Sequence, residues 1–197
     1  MSNVFAVQFV SRNKDNKDIE GFVQRHNVFL TREPQDSTKL MEKFKEFCAK
    51  GVPGETSRFY YSVNARDEEV TKRLLQKYII EHPDCDICKL DAKIAGLAMR
   101  PETAATKHWM FDFDIDDWNS ILEFNNDIRN FAGNDIATET YKTIHGYAVV
   151  INHGFDTRKL MEKWKSKGVE LKRDDMLLVA WDKTPEKERE LEEDIER

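Results

Sequence analysis

Three aspartates stand at every second position in the stretch "KHWMFDFDIDD", Lys107 to Asp117: Asp112, Asp114 and Asp116. Trp109, Met110, Phe111, Phe113 and Ile115 give the same stretch the aromatic and β-branched bulk of a strand. Residues two apart in a strand share a face, so like charges line up on an element otherwise suited to burial. Such a row repels itself, and burial raises the cost unless something positive stands against it. A hard divalent cation, Mg²⁺ or Mn²⁺, is the usual compensation, with oxygen ligands from one or two carboxylates and from substrate phosphates. Asp112 and Asp114 are therefore candidate metal ligands. Asp116 and Asp117 are placed to cap the helix that follows.

Further residues carry compatible chemistry. Asp182 closes the apolar run "LLVAWD" and supplies a third carboxylate at the end of a strand. In "KTIHGYAVVI", Lys142, Thr143, His145 and Gly146 offer a cation, a hydroxyl, an imidazole and close backbone approach, the ingredients of a phosphate contact. Arg58 and Arg66 flank "SRFYYSVNARDEE", where a strand turns into a helix whose N-terminus also favours phosphate. Tyr60, Tyr61 and Tyr147 are able to stack bases, against the ordinary alternative of core packing. Separately, "HPDCDIC" puts His82, Cys85 and Cys88 at His-x2-Cys-x2-Cys spacing, which suits Zn²⁺ if Cys48, His26 or His108 completes the set.

The elements that must position these residues are legible from periodicity. Strand patterns cover Asn3–Val10 and Gly21–Leu30, with the polar "SRNKDNKD" between them as a hairpin loop. A helix is expected over "DSTKLMEKFKEFCAKG", an aromatic strand over "SRFYYSVNA", a helix over "RDEEVTKRLLQKYIIEHP", and a short helix near Lys89–Ala98. Then come a strand at Lys107–Ile115, a helix "DWNSILEFNNDIRNFAG", strands "IATETYKT" and "IHGYAVVIN", a helix "DTRKLMEKWKSKG" and a strand "DMLLVAWD". The order β-α-β-β-α-β is that of a split-βαβ, ferredoxin-like unit, whose first and third strands lie together at the centre. His145 then comes beside the aspartates of the first strand. The expected fold is α+β: an N-terminal αβ lobe over 1–105, an RRM-like palm over 106–185 and an acidic tail over 186–197.

An acidic pair "DFD" on a strand, a later "TIH" and a final hydrophobic-aspartate "WD" resemble, in kind and order, the motifs of the archaeo-eukaryotic primase superfamily, which includes primase-polymerases and the polymerase domains of bacterial end-joining ligases. The resemblance covers Lys107 to Asp182 by motif and Val4 to Cys88 by element order alone. It implies that Asp112, Asp114 and Asp182 hold Mg²⁺ or Mn²⁺ as the catalytic acids. It also implies that Thr143 and His145 contact the phosphates of a nucleoside triphosphate. The partners implied are nucleoside triphosphates, a DNA or RNA template, and a helicase or other replication protein. Thr143 stands where the family more often has serine, and the chain carries no helicase domain. Some members of the superfamily carry structural zinc near the palm, which bears on the cysteine cluster.

Composition sets outer bounds. The 197 residues are 40% hydrophobic and 35% charged, with a net charge of −6, of which the acidic tail "EKERELEEDIER" carries a large part. Local clusters such as "KLMEKWKSKG" and "LKRDD" leave room for a basic groove. Three cysteines, an odd number, argue against a disulfide framework and for a reducing, cytoplasmic setting. Neither a signal peptide nor an apolar run long enough to span a bilayer is expected. Two other functions fit parts of the pattern. A metal-dependent phosphohydrolase would use "DFD" as nucleophile and acid, but such enzymes usually carry Thr or Val where this chain has Asp116. A non-catalytic nucleic-acid or protein-binding module of this topology would show aromatics, rather than aspartates, on its central strands.

Overall fold

A computed structural model of the chain describes residues 2–133 and 135–185, so the acidic tail expected at 186–197 lies outside the described residues. Strand β1 (Asn3–Ser11) leads into a single helical turn, α1 (Asn13–Asn16), within the stretch read as a hairpin loop, and β2 (Arg25–Thr31) returns antiparallel to β1. Helix α2 (Thr38–Ala49) follows, then β3 (Thr56–Ser62), the two-residue β4 (Arg66–Asp67), α3 (Glu68–Glu81) and α4 (Leu90–Ala98). The apolar stripe of α2, Leu40, Phe44, Phe47 and Cys48, is buried against Val7 and Phe9 of β1 and Phe59 and Tyr61 of β3. Phe9 meets Phe59 edge-on at a centroid distance of 5.1 Å, the arrangement that ring quadrupoles favour.

The second half of the chain runs β5 (Trp109–Phe113), α5 (Trp118–Ala132), β6 (Thr138–Lys142), β7 (Tyr147–Ile151), α6 (Arg158–Trp164), β8 (Val169–Lys172) and β9 (Met176–Lys183). Strands β5 to β8 form one antiparallel sheet in the order β6-β7-β5-β8. Side chains on β5, β7 and β8 alternate between its two faces. Phe111, Phe113, Val149, Ile151 and Val169 pack with Phe124 of α5 and with Leu160 and Trp164 of α6. Met110, Ala148 and Val150 point the other way and meet Leu177 of β9. The fold is thus mixed α and β, with two antiparallel sheets and six helices among the described residues.

The last strand departs from the expected order. "MLLVAWD" was the expected sixth element of the β-α-β-β-α-β unit, but β9 pairs with β3 and completes the other sheet, in the order β2-β1-β3-β9. The short β8 takes its place at the edge of β5. Two features accompany this exchange. Gly168 adopts φ 82° after α6 and turns the chain directly onto β5, a conformation that favours glycine. The run in β9 buries the consecutive Leu177 and Leu178, one on each face of the strand, in its place at the edge of the first sheet beside β3.

A polar seam ties the two sheets together. Asn64 donates to the His108 carbonyl at 3.1 Å and accepts from the His108 amide at 2.7 Å. Arg66, fully buried, makes a two-point bond to Asp174 at 2.9 and 2.5 Å. No helix among the described residues is long and apolar enough to cross a membrane.

Candidate functional site

The alternation that buries Phe111 and Phe113 under the helices turns Asp112 to the opposite face of β5, toward the first sheet. In the sheet register, Asp112 lies opposite Glu170 of β8 on one side and Ala148 of β7 on the other. Glu170 and Lys172 alternate with Val169 and Leu171 on β8, so both polar side chains share the face of Asp112. Asp114 follows directly after β5, its amide bonded to the Gly168 carbonyl at 3.3 Å. These residues border a cleft of about 350 Å³ between the two sheets. Its acidic wall consists of Asp112, Asp114 and Glu170. The small Ala148 side chain leaves depth beside Asp112.

Thr143 and His145 reach the same cleft from the turn between β6 and β7. The Thr143 amide donates to the Gly146 carbonyl at 2.9 Å and closes this turn. Gly146 is required by packing. A Cβ there would lie 2.0 Å from the Phe113 carbonyl oxygen and 2.9 Å from the Ile115 amide. The expected close approach at Gly146 is therefore made to the end of β5. It fixes His145 next to the strand that carries the aspartates.

The first sheet supplies a basic wall. Arg12 and Lys14, at the α1 turn, and Arg58 and Tyr60, on β3, line the cleft opposite the acids. Asp15 organises this wall. It accepts from Arg12 at 3.0 and 3.2 Å and from Arg58 at 2.5 Å. Burial pushes the Asp15 carboxyl up, but its bonds to Arg12 and Arg58 outweigh that and hold it below the ordinary range. Arg58 also donates to the Tyr60 hydroxyl at 3.3 Å, while its buried Nε has no protein partner. One carboxylate thus serves two guanidiniums, which leaves net positive charge on this side of the cleft.

The remaining sequence candidates lie elsewhere. Asp182 sits on β9 opposite Ser57, exposed, with Oδ1 accepting from the Lys183 amide at 2.8 Å, and it does not line the cleft. The strand that carried it belongs to the other sheet, and Glu170 on β8 stands in the position for which Asp182 was expected. Lys142 points away from the cleft, onto Asp116 and over the Tyr147 ring. Arg66 is consumed by Asp174 in the inter-sheet seam. Asp117 caps α5 through the amides of Asn119 and Ser120, as its position suggested, while Asp116 pairs with Lys142 instead. Tyr61 is core, Tyr147 packs on Trp118, and only Tyr60 of the three tyrosines faces the cleft. His82 stacks on Tyr78, with its Nδ1 3.0 Å from the Tyr78 carbonyl, and Cys85 and Cys88 are unbridged.

Four charged residues of the cleft were not among the sequence candidates: Arg12, Lys14, Glu170 and Lys172, the last noted only as part of the basic cluster "LKRDD". Arg12 and Lys14 belong to a polar run read as a turn. Glu170 and Lys172 had a usable signal, the strict apolar-polar alternation of "VELK" after a glycine, but only over four residues.

Among the described residues, no three His, Cys, Asp or Glu side chains are gathered closely enough to hold a metal ion as they stand, at the cleft or at His82, Cys85 and Cys88. At the cleft, the donor chemistry nevertheless suits a hard cation. Three carboxylates share one face of adjacent strands, and the Lys172 ammonium, 2.8 Å from Asp112 Oδ2, occupies a cation position against the innermost of them. Burial works against the charge on Lys172, and the bond to Asp112 more than restores it. The chain matches no family model, no curated protein and no solved structure.

Proposed function

We propose that the chain is a nucleotidyltransferase of the primase-polymerase kind, joining nucleotides on a nucleic-acid template with Mg²⁺ or Mn²⁺. On this reading β5–β8 with α5 and α6 is a ferredoxin-like, RRM-like palm, and the first sheet is the lobe that closes over it. The observation that carries the reading is the division of one cleft into an acidic wall and a basic wall, with Thr143 and His145 at their junction. A triphosphate-metal complex has that same division of charge. Asp112, Asp114 and Glu170 would hold the cations, and Arg58, Arg12 and Lys14 would face the phosphate tail. Thr143 and His145 would orient it through hydroxyl and imidazole bonds.

The reaction forms a bond between a primer or nucleotide hydroxyl and the α-phosphorus and releases pyrophosphate. Divalent metal, when bound, stabilises the attacking and leaving oxygens of such an in-line displacement. The protein's own share is positioning. The Gly146 turn is locked to β5, the guanidiniums are held by Asp15, and the acids sit on paired strands. The turn, the guanidiniums and the strand backbones that carry the acids are in place before substrate arrives, which lowers the reorganisation needed for transfer.

Calorimetric titration of a nucleoside triphosphate, with and without Mn²⁺, tests this reading. The intact chain should bind only when Mn²⁺ is present, and the Asp112→Asn/Asp114→Asn double variant should bind neither way. Equal binding by both proteins would mean that these aspartates have no part in a nucleotide site.

A further inference from the structure

The Lys172 ammonium bonds Asp112 at 2.8 Å and stands 3.6 Å from Asp175 Oδ2 in the turn that follows β8. One lysine is therefore within reach of two carboxylates, one inside the cleft and one at its margin. All three side chains are partly exposed, at 28% for Lys172, 31% for Asp112 and 45% for Asp175, so none is locked by packing. A small torsional change along the lysine stem transfers the ammonium from one acid to the other. This matters because the ammonium already takes Asp112 Oδ2 and sets a positive charge where a divalent cation would have to approach that carboxylate. A lysine left unpaired beside a bound dication would also repel it.

We infer that Lys172 is a displaceable counter-cation: it neutralises Asp112 when the cleft holds no metal and moves onto Asp175 when a divalent ion takes Asp112. The inference rests on the metal-dependent reading above. It assigns Lys172 and Asp175 a positioning role that neither the sequence motifs nor the cleft lining requires. It also explains how adjacent acids remain tolerable before substrate arrives, since the ammonium stands against Asp112.

A double-mutant cycle on binding of Mn²⁺ alone, without nucleotide, reads this exchange directly. Mn²⁺ affinity is measured by calorimetry for the intact chain, Lys172→Met, Asp175→Asn and the double variant. Lys172→Gln serves as a second replacement, and thermal unfolding checks that all are folded. Lys172→Met should bind Mn²⁺ at least threefold more tightly than the intact chain. Asp175→Asn should weaken binding about fivefold when Lys172 is present, because the displaced ammonium has lost its destination, and less than twofold when Lys172 is absent. An equal penalty for Asp175→Asn in both backgrounds would show Asp175 acting only as a distant charge and overturn the inference. So would a Lys172→Met protein that binds no more tightly than the intact chain. These outcomes leave the nucleotidyltransferase reading intact. Absence of Mn²⁺ binding in the intact chain and in Lys172→Met alike would overturn both.

Discussion

Glu170 of β8 lies directly opposite Asp112 of β5 in the antiparallel register, and both side chains face the cleft between the sheets. The pairing assigns the third carboxylate of the site to Glu170. The expected result is that Glu170→Gln reduces metal-dependent nucleotide binding at least tenfold, while Asp182→Asn leaves it within twofold of the intact chain. The same titration of the two variants decides. A loss on Asp182→Asn with Glu170→Gln unaffected would return the role to the motif aspartate.

The basic wall gives a second expectation. Arg58 is held by Asp15 and Tyr60, yet keeps a buried Nε without a partner. A charge-assisted hydrogen bond contributes about 1.5–3 kcal/mol. Arg58→Met should therefore weaken triphosphate binding roughly ten- to hundredfold at constant Mn²⁺. Affinity for Mn²⁺ alone should stay unchanged, because the metal is assigned to the opposite wall. A parallel loss of both affinities would place Arg58 in the fold rather than at the phosphates.

Gly146 links stability to the site. With a Cβ at 2.0 Å from the Phe113 carbonyl, Gly146→Ala must displace either the turn or the end of β5. Overpacking of this kind costs about 1–3 kcal/mol. A lower midpoint in thermal unfolding is expected, together with weaker nucleotide binding, since His145 moves with the turn. An unchanged midpoint would mean that the turn is held to β5 less firmly than its packing indicates.

Acid should unfold the protein through identifiable groups. Burial raises Asp15, Glu55 and Asp127, but the bonds to Arg12 and Arg58, to Arg25, and to Lys163 and Trp164 outweigh it, so each stays below the usual carboxylate range. In the window between folded and unfolded values the unfolded chain binds more protons, so stability falls as pH falls. This contribution is complete above the ordinary carboxylate value of about 4 and is lost as pH drops through the depressed values. Thermal midpoints followed from pH 6 downward should decline below about pH 4, and Asp127→Asn should make the decline shallower. A midpoint insensitive to acid would contradict these pairings.

What the sequence disclosed and what it hid have physical causes. The β5 stretch, α5, the β6–β7 hairpin and α6 follow long, consistent patterns of periodicity, and the structure has them where the patterns put them. The partner of the last strand was not legible. "MLLVAWD" and "VELK" compete for the same edge of β5, and the apolar run pairs with β3 instead, while the shorter alternating strand, delivered by the Gly168 turn, takes that edge. That single exchange moved the third acid from Asp182 to Glu170. The basic wall was hidden for a different reason: Arg12 and Asp15 lie in a polar turn, and only the packing of α1 beside β3 brings Arg58 to Asp15, so that one carboxylate holds both guanidiniums.

Nucleotide transfer itself separates a nucleotidyltransferase from a protein that only binds nucleotide. An α-labelled nucleoside triphosphate is incubated with a primed template and Mn²⁺, and the label is followed into acid-insoluble polymer. Incorporation is expected with the intact chain, and its loss in Asp112→Asn/Asp114→Asn and in Glu170→Gln. Release of label as free nucleotide with none in polymer, or incorporation that survives all these substitutions, would contradict nucleotidyl transfer at this cleft.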